Sequence, residues 1–260
     1  MEEDKLDITH IYGSQLDKGK IREDNQDSLG AAKIKLVSED TKRSIGVYMV
    51  ADGIGGMAEG GKASKTAIQT AMQEMMTHIN QQDDPSEISR WLLNAANMAH
   101  RTIQSQQTKK HSQGTTLVMA AVIENQVYIV NIGDSRAYLL RDNDLRQITK
   151  DHTIAQAFVD QGLIEQDEVS DHPYSNVLSQ ALGVEDIDGD VFTEQVNIGD
   201  YLLLCSDGLY GYVTSDDITS IITQAETPQI ASDELTKAAN QGGGKDNIAV
   251  IVVELLARER

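Results

Sequence analysis

Residues 116–140 read Thr116-Leu117-Val118-Met119-Ala120-Ala121-Val122-Ile123-Glu124-Asn125-Gln126-Val127-Tyr128-Ile129-Val130-Asn131-Ile132-Gly133-Asp134-Ser135-Arg136-Ala137-Tyr138-Leu139-Leu140. This is three short β-rich runs, divided by turn signals at Glu124-Asn125 and Gly133-Asp134-Ser135. Turns this tight join antiparallel neighbours, because a parallel pair needs a crossover of a dozen residues or more. Upstream, residues 8–16 and 44–50 read as strands, the second running into Ala51-Asp52-Gly53 and a glycine-rich turn. Residues 63–79 form a helical pattern with Ala67, Ala71, Met75 and Ile79 four apart. Residues 86–104 form another, with Ser86 as N-cap and a stripe of Ile88, Trp91, Leu92, Ala95 and Ala99. Downstream, 152–168 is mixed helical and irregular, 190–196 and 201–206 are strands, 216–225 and 228–240 are helices, and 247–255 is an apolar last strand. Paired helices between antiparallel strands predict an α+β fold. It is a four-layer α-β-β-α sandwich, two central antiparallel sheets flanked by helix pairs.

Nothing in the 260 residues marks a boundary, so a single domain spanning 1–260 is expected. Aromatic residues make up only 4%, which leaves Ile, Val, Leu and Met to fill the core. The formal charge of −19 repels nucleic acid and anionic membranes, and neither is an expected partner. The acid excess serves solubility or gathers carboxylates around cations; charge alone does not separate the two. Cys205, the one cysteine, lies in an apolar run and reads as a buried core thiol, compatible with a reducing compartment. The acidic start Met1-Glu2-Glu3-Asp4-Lys5 has no signal-peptide character, and no stretch reaches the ~20 apolar residues of a membrane span. A cytoplasmic monomer is expected.

Four aspartates stand at strand ends and turns: Asp27 in Arg22-Glu23-Asp24-Asn25-Gln26-Asp27, Asp52 in Val50-Ala51-Asp52-Gly53, Asp207 in Cys205-Ser206-Asp207-Gly208, and Asp246 in Gly243-Gly244-Lys245-Asp246-Asn247. Any one Asp-Gly can be only a turn. Several converging carboxylates suit hard cations such as Mg²⁺ and Mn²⁺. A pair of such ions can activate water and hold a phosphoryl group for in-line attack.

Six blocks in order resemble the PPM family, the type 2C metal-dependent protein phosphatases, and its compact bacterial members in particular. They are Arg22-x-x-Asn25-Gln26-Asp27, Val50-Ala51-Asp52-Gly53-Ile54-Gly55-Gly56, Gly114-Thr115-Thr116, Asn131-Ile132-Gly133-Asp134-Ser135-Arg136, Ser206-Asp207-Gly208-Leu209 and Asp246-Asn247. The resemblance implies a protein serine/threonine phosphatase using two Mn²⁺ or Mg²⁺ ions. Asp52 bridges them, Asp207 and Asp246 complete the first, and the Gly53 carbonyl joins Asp52 on the second with Asp27 nearby. Asp134, with Asp207, matches the position that holds a third, weaker ion. Arg22 matches the arginine that grips the substrate phosphate, a task suited to a guanidinium fork; the bland alternative is a surface ion pair with Glu23 or Asp24. Arg22, Asp52 and Asp207 are thus the catalytic candidates. The implied mechanism is direct hydrolysis of phosphoserine or phosphothreonine by a water that the cations acidify. Phosphorylated proteins are the implied partners, with a Ser/Thr kinase and its targets as the natural pathway. Residues 154–180 resemble the family's variable flap, flanked by His152 and His172, which read as structural.

The chain departs from family patterns at Met57, where members often carry histidine, and at Ile54, Gly60-Gly61 and Gln180. These leave the leaving-group acid unassigned. Two other readings compete. One is a silent binding module that keeps the fold without the chemistry, against which all four aspartates weigh. The other is a P-loop nucleotidase, suggested by G-x-x-x-x-G-K at 56–62 but lacking Ser or Thr at Ala63. Alternating Asp186, Asp188 and Asp190 lack the glycine and closing acid of a calcium loop. Gly242-Gly243-Gly244 reads as a loop that lets the backbone approach the metal site.

Overall fold

The computed structural model describes residues 8–37, 42–55, 59–78, 85–107, 113–184 and 186–258. Its strands and helices are, in order, β1 (Ile8–Asp17), β2 (Asp27–Val37), β3 (Lys42–Ile54), α1 (Glu59–His78), α2 (Pro85–Gln106), β4 (Gly114–Thr115), β5 (Leu117–Ile123), β6 (Gln126–Ile132), β7 (Arg136–Arg141), β8 (Asp144–Gln147), α3 (Ile154–Asp160), β9 (Asp190–Gln195), β10 (Tyr201–Cys205), α4 (Asp207–Tyr210), α5 (Ser215–Gln224), α6 (Pro228–Gln241) and β11 (Ile248–Ala257). One sheet runs β1-β11-β10-β7-β8; the other runs β2-β3-β5-β6-β9, with β4 paired to β3.

The period-2 alternation of a strand explains the layering. Every residue of β5 is buried. Leu117, Met119, Ala121 and Ile123 pack under α1 and α2. Val118, Ala120 and Val122 face the other sheet, against Leu139, Leu204, Ile251 and Val253. On that sheet's outer face, Leu203, Val250 and Val252 pack beneath Ile218 and Ile222 of α5 and Leu235 of α6. The expected order α-β-β-α is the observed one.

The boundaries differ in instructive ways. β2 was not anticipated, because Asp27, Gly30, Lys33 and Lys35 break its apolar pattern; tertiary pairing with β3 along its length overrides that weak signal. β8 is a half-exposed edge strand joined to β7 by Asp142-Asn143, both with positive φ, the backbone a tight hairpin demands. α1 starts at Glu59 rather than 63, its glycines having argued against helix. The helix ends at His78, and Ile79 lies outside the described residues. α2 begins at Pro85, which suits a first helical position; Ser86 therefore sits inside the first turn and is not the cap. β3 continues past Asp52 to Ile54, and Asp207 opens α4 instead of ending a strand. Gly60-Gly61-Lys62 lies within α1 and the β2–β3 and β3–β5 ladders pair antiparallel, whereas a P-loop follows a strand of a parallel sheet; Gly56 and Met57 lie outside the described residues.

Candidate metal centre

Asp27 and Asp52 face each other directly across the β2–β3 ladder. The Asp52 backbone is pinned at both its N–H and its carbonyl by the Thr115–Thr116 segment. Its N–H donates to Thr116 Oγ1 at 2.8 Å, and its carbonyl accepts from the Thr116 N–H at 2.9 Å and from Thr115 Oγ1 at 2.8 Å. Gly53 follows, its N–H donating to the Gln26 carbonyl. A side chain at Gly53 would meet the Gly60 carbonyl oxygen at 2.2 Å, and one at Gly60 would meet the Gly53 oxygen at 2.7 Å. The first turn of α1 therefore lies directly on the end of β3 that carries the Gly53 carbonyl, which explains why position 60 is glycine.

The opposite sheet supplies the other acids. Ser206 caps α4 by position, and Asp207 is its first residue. Gly208 lets that turn settle on the strand-entry turn before β11, since a Cβ there would lie 1.8 Å from the Asn247 carbonyl oxygen. This close approach brings Asp207 beside Asp246. Asn247 ties the N-terminal segment to the same point: its Nδ2 donates to the Lys18 and Asp24 carbonyls, and its Oδ1 accepts from the Gln26 N–H at 2.8 Å. Arg22 donates to Asp246 Oδ2 at 2.6 Å, rather than to Glu23 or Asp24. Asp134 sits buried in the β6–β7 turn, where its carbonyl accepts from the Tyr210 hydroxyl at 3.0 Å. Tyr210 is in turn covered by the Arg136 guanidinium, 3.6 Å above its ring, and Arg136 grips Asp151 with Nε and Nη2.

Asp27, Asp52, Asp134, Asp207 and Asp246 thus converge where the two sheets meet. Burial pushes the Asp27 carboxyl up to about 7, opposed by the Ser206 hydroxyl and reinforced by Asp207. Asp52 is raised well above the usual carboxylate range, by burial first and then by the charges of Asp27, Asp207, Asp134 and Asp246. Burial and then Asp207 lift Asp134 to about 7; burial and then Asp246 lift Asp207 to about 6. The Arg22 guanidinium is raised as well, held charged by its hydrogen bond to Asp246. Asp27 Oδ1 and Asp207 Oδ1 are buried without a hydrogen-bond partner among the described residues. Orphaned carboxylate oxygens in a repelling cluster are costly unless a cation meets them. Among the described residues, no three acid, histidine or cysteine side chains are already grouped as a closed metal cage; Asp246 is turned to Arg22 and Asp27 to Ser206. The donor set, carboxylates with the nearby Gly53 carbonyl, is the all-oxygen set that Mg²⁺ and Mn²⁺ take.

Sequence reasoning missed the residues that hold this cluster. Ser206 Oγ donates to Asp27 Oδ2 at 2.6 Å and accepts from the Ala249 N–H at 3.0 Å, so it joins the two sheets at the site. Thr116 Oγ1 is bonded to Ser135 Oγ at 2.6 Å. Both Ser206 and Thr116 lie in the motif blocks, but their type alone gave no role. The Ser206→Ala variant is expected to weaken Mn²⁺ affinity about 10- to 100-fold, as loss of an outer partner of a metal ligand does. Isothermal titration with Mn²⁺ checks this. His152 is structural as expected: Nδ1 accepts from the Gly133 N–H at 3.3 Å and Nε2 lies 3.2 Å from Asp190 Oδ2. His172 packs with Phe158 and Tyr174. Cys205 is fully buried, its thiol pushed up to about 12 by burial, which removes it as a nucleophile. Gln180 accepts from the Asp188 N–H, closing the loop expected as a solvated turn.

Known proteins resemble this chain over most of its length. A family profile described as protein phosphatase 2C matches residues 20–239. The serine/threonine phosphatase stp of Listeria monocytogenes is 34% identical over 242 residues, 92% of this chain and 93% of that protein. PstP of Mycobacterium tuberculosis is 32% identical over 248 residues, 94% of this chain but 45% of that longer protein. Among solved structures, the M. tuberculosis serine/threonine phosphatase PstP/Ppp superposes with a TM-score of 0.81 at 31% identity, covering 96% of this chain and 99% of that one. The catalytic domain of PstP in complex with two manganese ions superposes with a TM-score of 0.79 at 30% identity, covering 96% and 99%.

Proposed function

The chain belongs to the protein phosphatase 2C family and is a metal-dependent serine/threonine protein phosphatase, and from that premise we propose how its own residues carry the reaction. One catalytic domain, residues 1–260, would hold two Mn²⁺ or Mg²⁺ ions. Asp52, Asp207 and Asp246 would hold the first, and Asp52 with the Gly53 carbonyl and Asp27 the second. Asp134 with Asp207 would hold a third, more weakly. The observation that supports this best is the pair of buried, partnerless oxygens on Asp27 and Asp207 within a cluster of raised carboxyls. The catalytic domain of PstP was solved with two manganese ions, which favours the same number here.

Bound divalent cations supply an acidified water and positive charge for the phosphoryl oxygens. The chain's residues do the rest. Thr115 and Thr116 lock the Asp52 backbone, so its carboxylate keeps one orientation through the cycle. Ser206 holds Asp27 from the opposite sheet. Arg22, half exposed and anchored on Asp246, turns its remaining donors to the substrate phosphate and neutralises charge as the Ser or Thr oxygen departs. The Arg22→Ala variant is expected to lower kcat/KM for a phosphothreonine peptide about 10- to 100-fold, the worth of a charge-assisted contact, with Arg22→Lys falling between. Steady-state kinetics on the three proteins checks the order.

Substrates are phosphorylated proteins, a Ser/Thr kinase and its targets among them, and the enzyme works as a cytoplasmic monomer. Among the described residues no helix is long and apolar enough to cross a membrane. The test is phosphate release from p-nitrophenyl phosphate and from a phosphothreonine peptide with Mn²⁺, with Mg²⁺ and with EDTA. Release with metal and none with EDTA supports the reading. Folded protein inactive with every metal would contradict it and point to a silent binding module.

A further inference from the structure

A cleft of about 190 Å³ opens between the end of β3 and the chain that closes the flap, its nearest link to the candidate site being Ile54, the neighbour of Gly53 in the chain. Ile54, Leu178, Ala181 and Val184 form its apolar wall; Gln180 and Asp186 stand on its polar side. The cleft is tied to the candidate site through the backbone. Ile54 is the residue after Gly53 and pairs with Gly114 in the β3–β4 ladder. The flap's closing segment is stitched to the same ladder, because Thr115 and Leu182 exchange backbone hydrogen bonds at 3.2 and 2.8 Å. Thr115 also holds the Asp52 carbonyl. Gly114 keeps the floor open: a Cβ there would lie 2.7 Å from Val184 Cγ2 and 3.1 Å from Ile54 Cδ1.

Resting on the phosphatase reading above, we propose that this cleft is a substrate subsite for a lysine or arginine side chain flanking the phosphorylated residue. An aliphatic stem lies along Ile54, Leu178, Ala181 and Val184 while its cationic head reaches Asp186, the division of labour that long basic side chains adopt. Charge supports the choice of occupant. Asp186 is exposed, Asp188 is exposed beside it, and the chain as a whole carries −19. An acidic substrate segment meets repulsion there, and a basic one meets attraction. An uncharged apolar side chain fits the wall but leaves Asp186 unanswered.

The experiment compares phosphothreonine peptides that differ only in flanking residues, with Arg, Leu or Glu at each neighbouring position, in Mn²⁺ at low salt. Each kcat/KM is divided by that of p-nitrophenyl phosphate, which has no flanking side chain. Wild type is expected to favour the best Arg peptide over its Glu counterpart, and Asp186→Asn to reduce that preference about fivefold, the scale of one exposed ion pair. Asp186→Lys is expected to invert it, and added salt to erode it. Asp186 is exposed, so these changes leave folding intact. Equal rates on Arg and Leu peptides, or a preference indifferent to Asp186→Lys, would overturn the subsite while p-nitrophenyl phosphate turnover left the phosphatase reading standing. Loss of p-nitrophenyl phosphate turnover in wild type would instead remove that reading, and the subsite with it.

Discussion

The Asp207→Asn variant is expected to lose turnover by on the order of 10³-fold, and yet to melt higher than wild type when both are metal-free at pH 8. The first effect follows if Asp207 is the proposed charged ligand, since divalent cations supply several kcal/mol of transition-state charge stabilisation, at about 1.4 kcal/mol per tenfold in rate. The second follows from the site's electrostatics. Burial and Asp246 raise the Asp207 carboxyl to about 6, so keeping it ionised at pH 8 costs stability, and its Oδ1 has no partner among the described residues. A neutral amide removes that cost, on the order of 2 kcal/mol, which corresponds to a shift of about 4–8 °C. A merely structural aspartate would behave oppositely, with stability falling and any effect on rate secondary to it. Kinetics and differential scanning calorimetry on the same preparations separate the two.

Acidification is expected to stabilise the metal-free enzyme, and Mn²⁺ to abolish that dependence. Asp27 and Asp134 are raised to about 7 and Asp207 to about 6, while unfolded aspartates titrate near 3.9. A raised folded value means the native state binds protons more tightly. The stabilisation is complete below the unfolded value and is lost as pH rises through 6–7. Melting temperature without metal should therefore climb from pH 8 to pH 5. With Mn²⁺ at about 100 times Kd, linkage adds about 2.7 kcal/mol, roughly 5–10 °C for a chain of this size, and the gain is largest at pH 8 where the carboxylates are ionised. A melting temperature that fell on mild acidification of the metal-free protein would contradict the repelling cluster.

Residues of different kinds were legible to different degrees. β5 and β6 could be read directly because both of their faces are buried and the short turn at Glu124-Asn125 fixes their pairing. β2 could not, because Asp27, Gly30, Lys33 and Lys35 break its apolar pattern and its side chains are mostly only partly covered. Asp52 and Asp207 stood out as Asp-Gly turns ending apolar runs, and Asp27 and Asp246 through the blocks they lie in. What converts those turns into a site is long-range: Asn247 reaching Lys18, Asp24 and Gln26, and Ser206 reaching Asp27. No local pattern in a single sequence carries such contacts. Arg22 illustrates the limit. Its neighbours Glu23 and Asp24 were natural partners by proximity, whereas its bond goes to Asp246, at the other end of the chain.

The central claim is that Asp52, set between carboxylates of both sheets, is the shared ligand of two divalent ions. Equilibrium dialysis against Mn²⁺ tests it most directly, on wild type and on Asp52→Asn shown by circular dichroism to be folded. Wild type is expected to hold two tightly bound ions per chain and the variant to hold neither with comparable affinity, since removing a shared ligand weakens both positions. Two ions retained by Asp52→Asn at wild-type affinity would contradict the account.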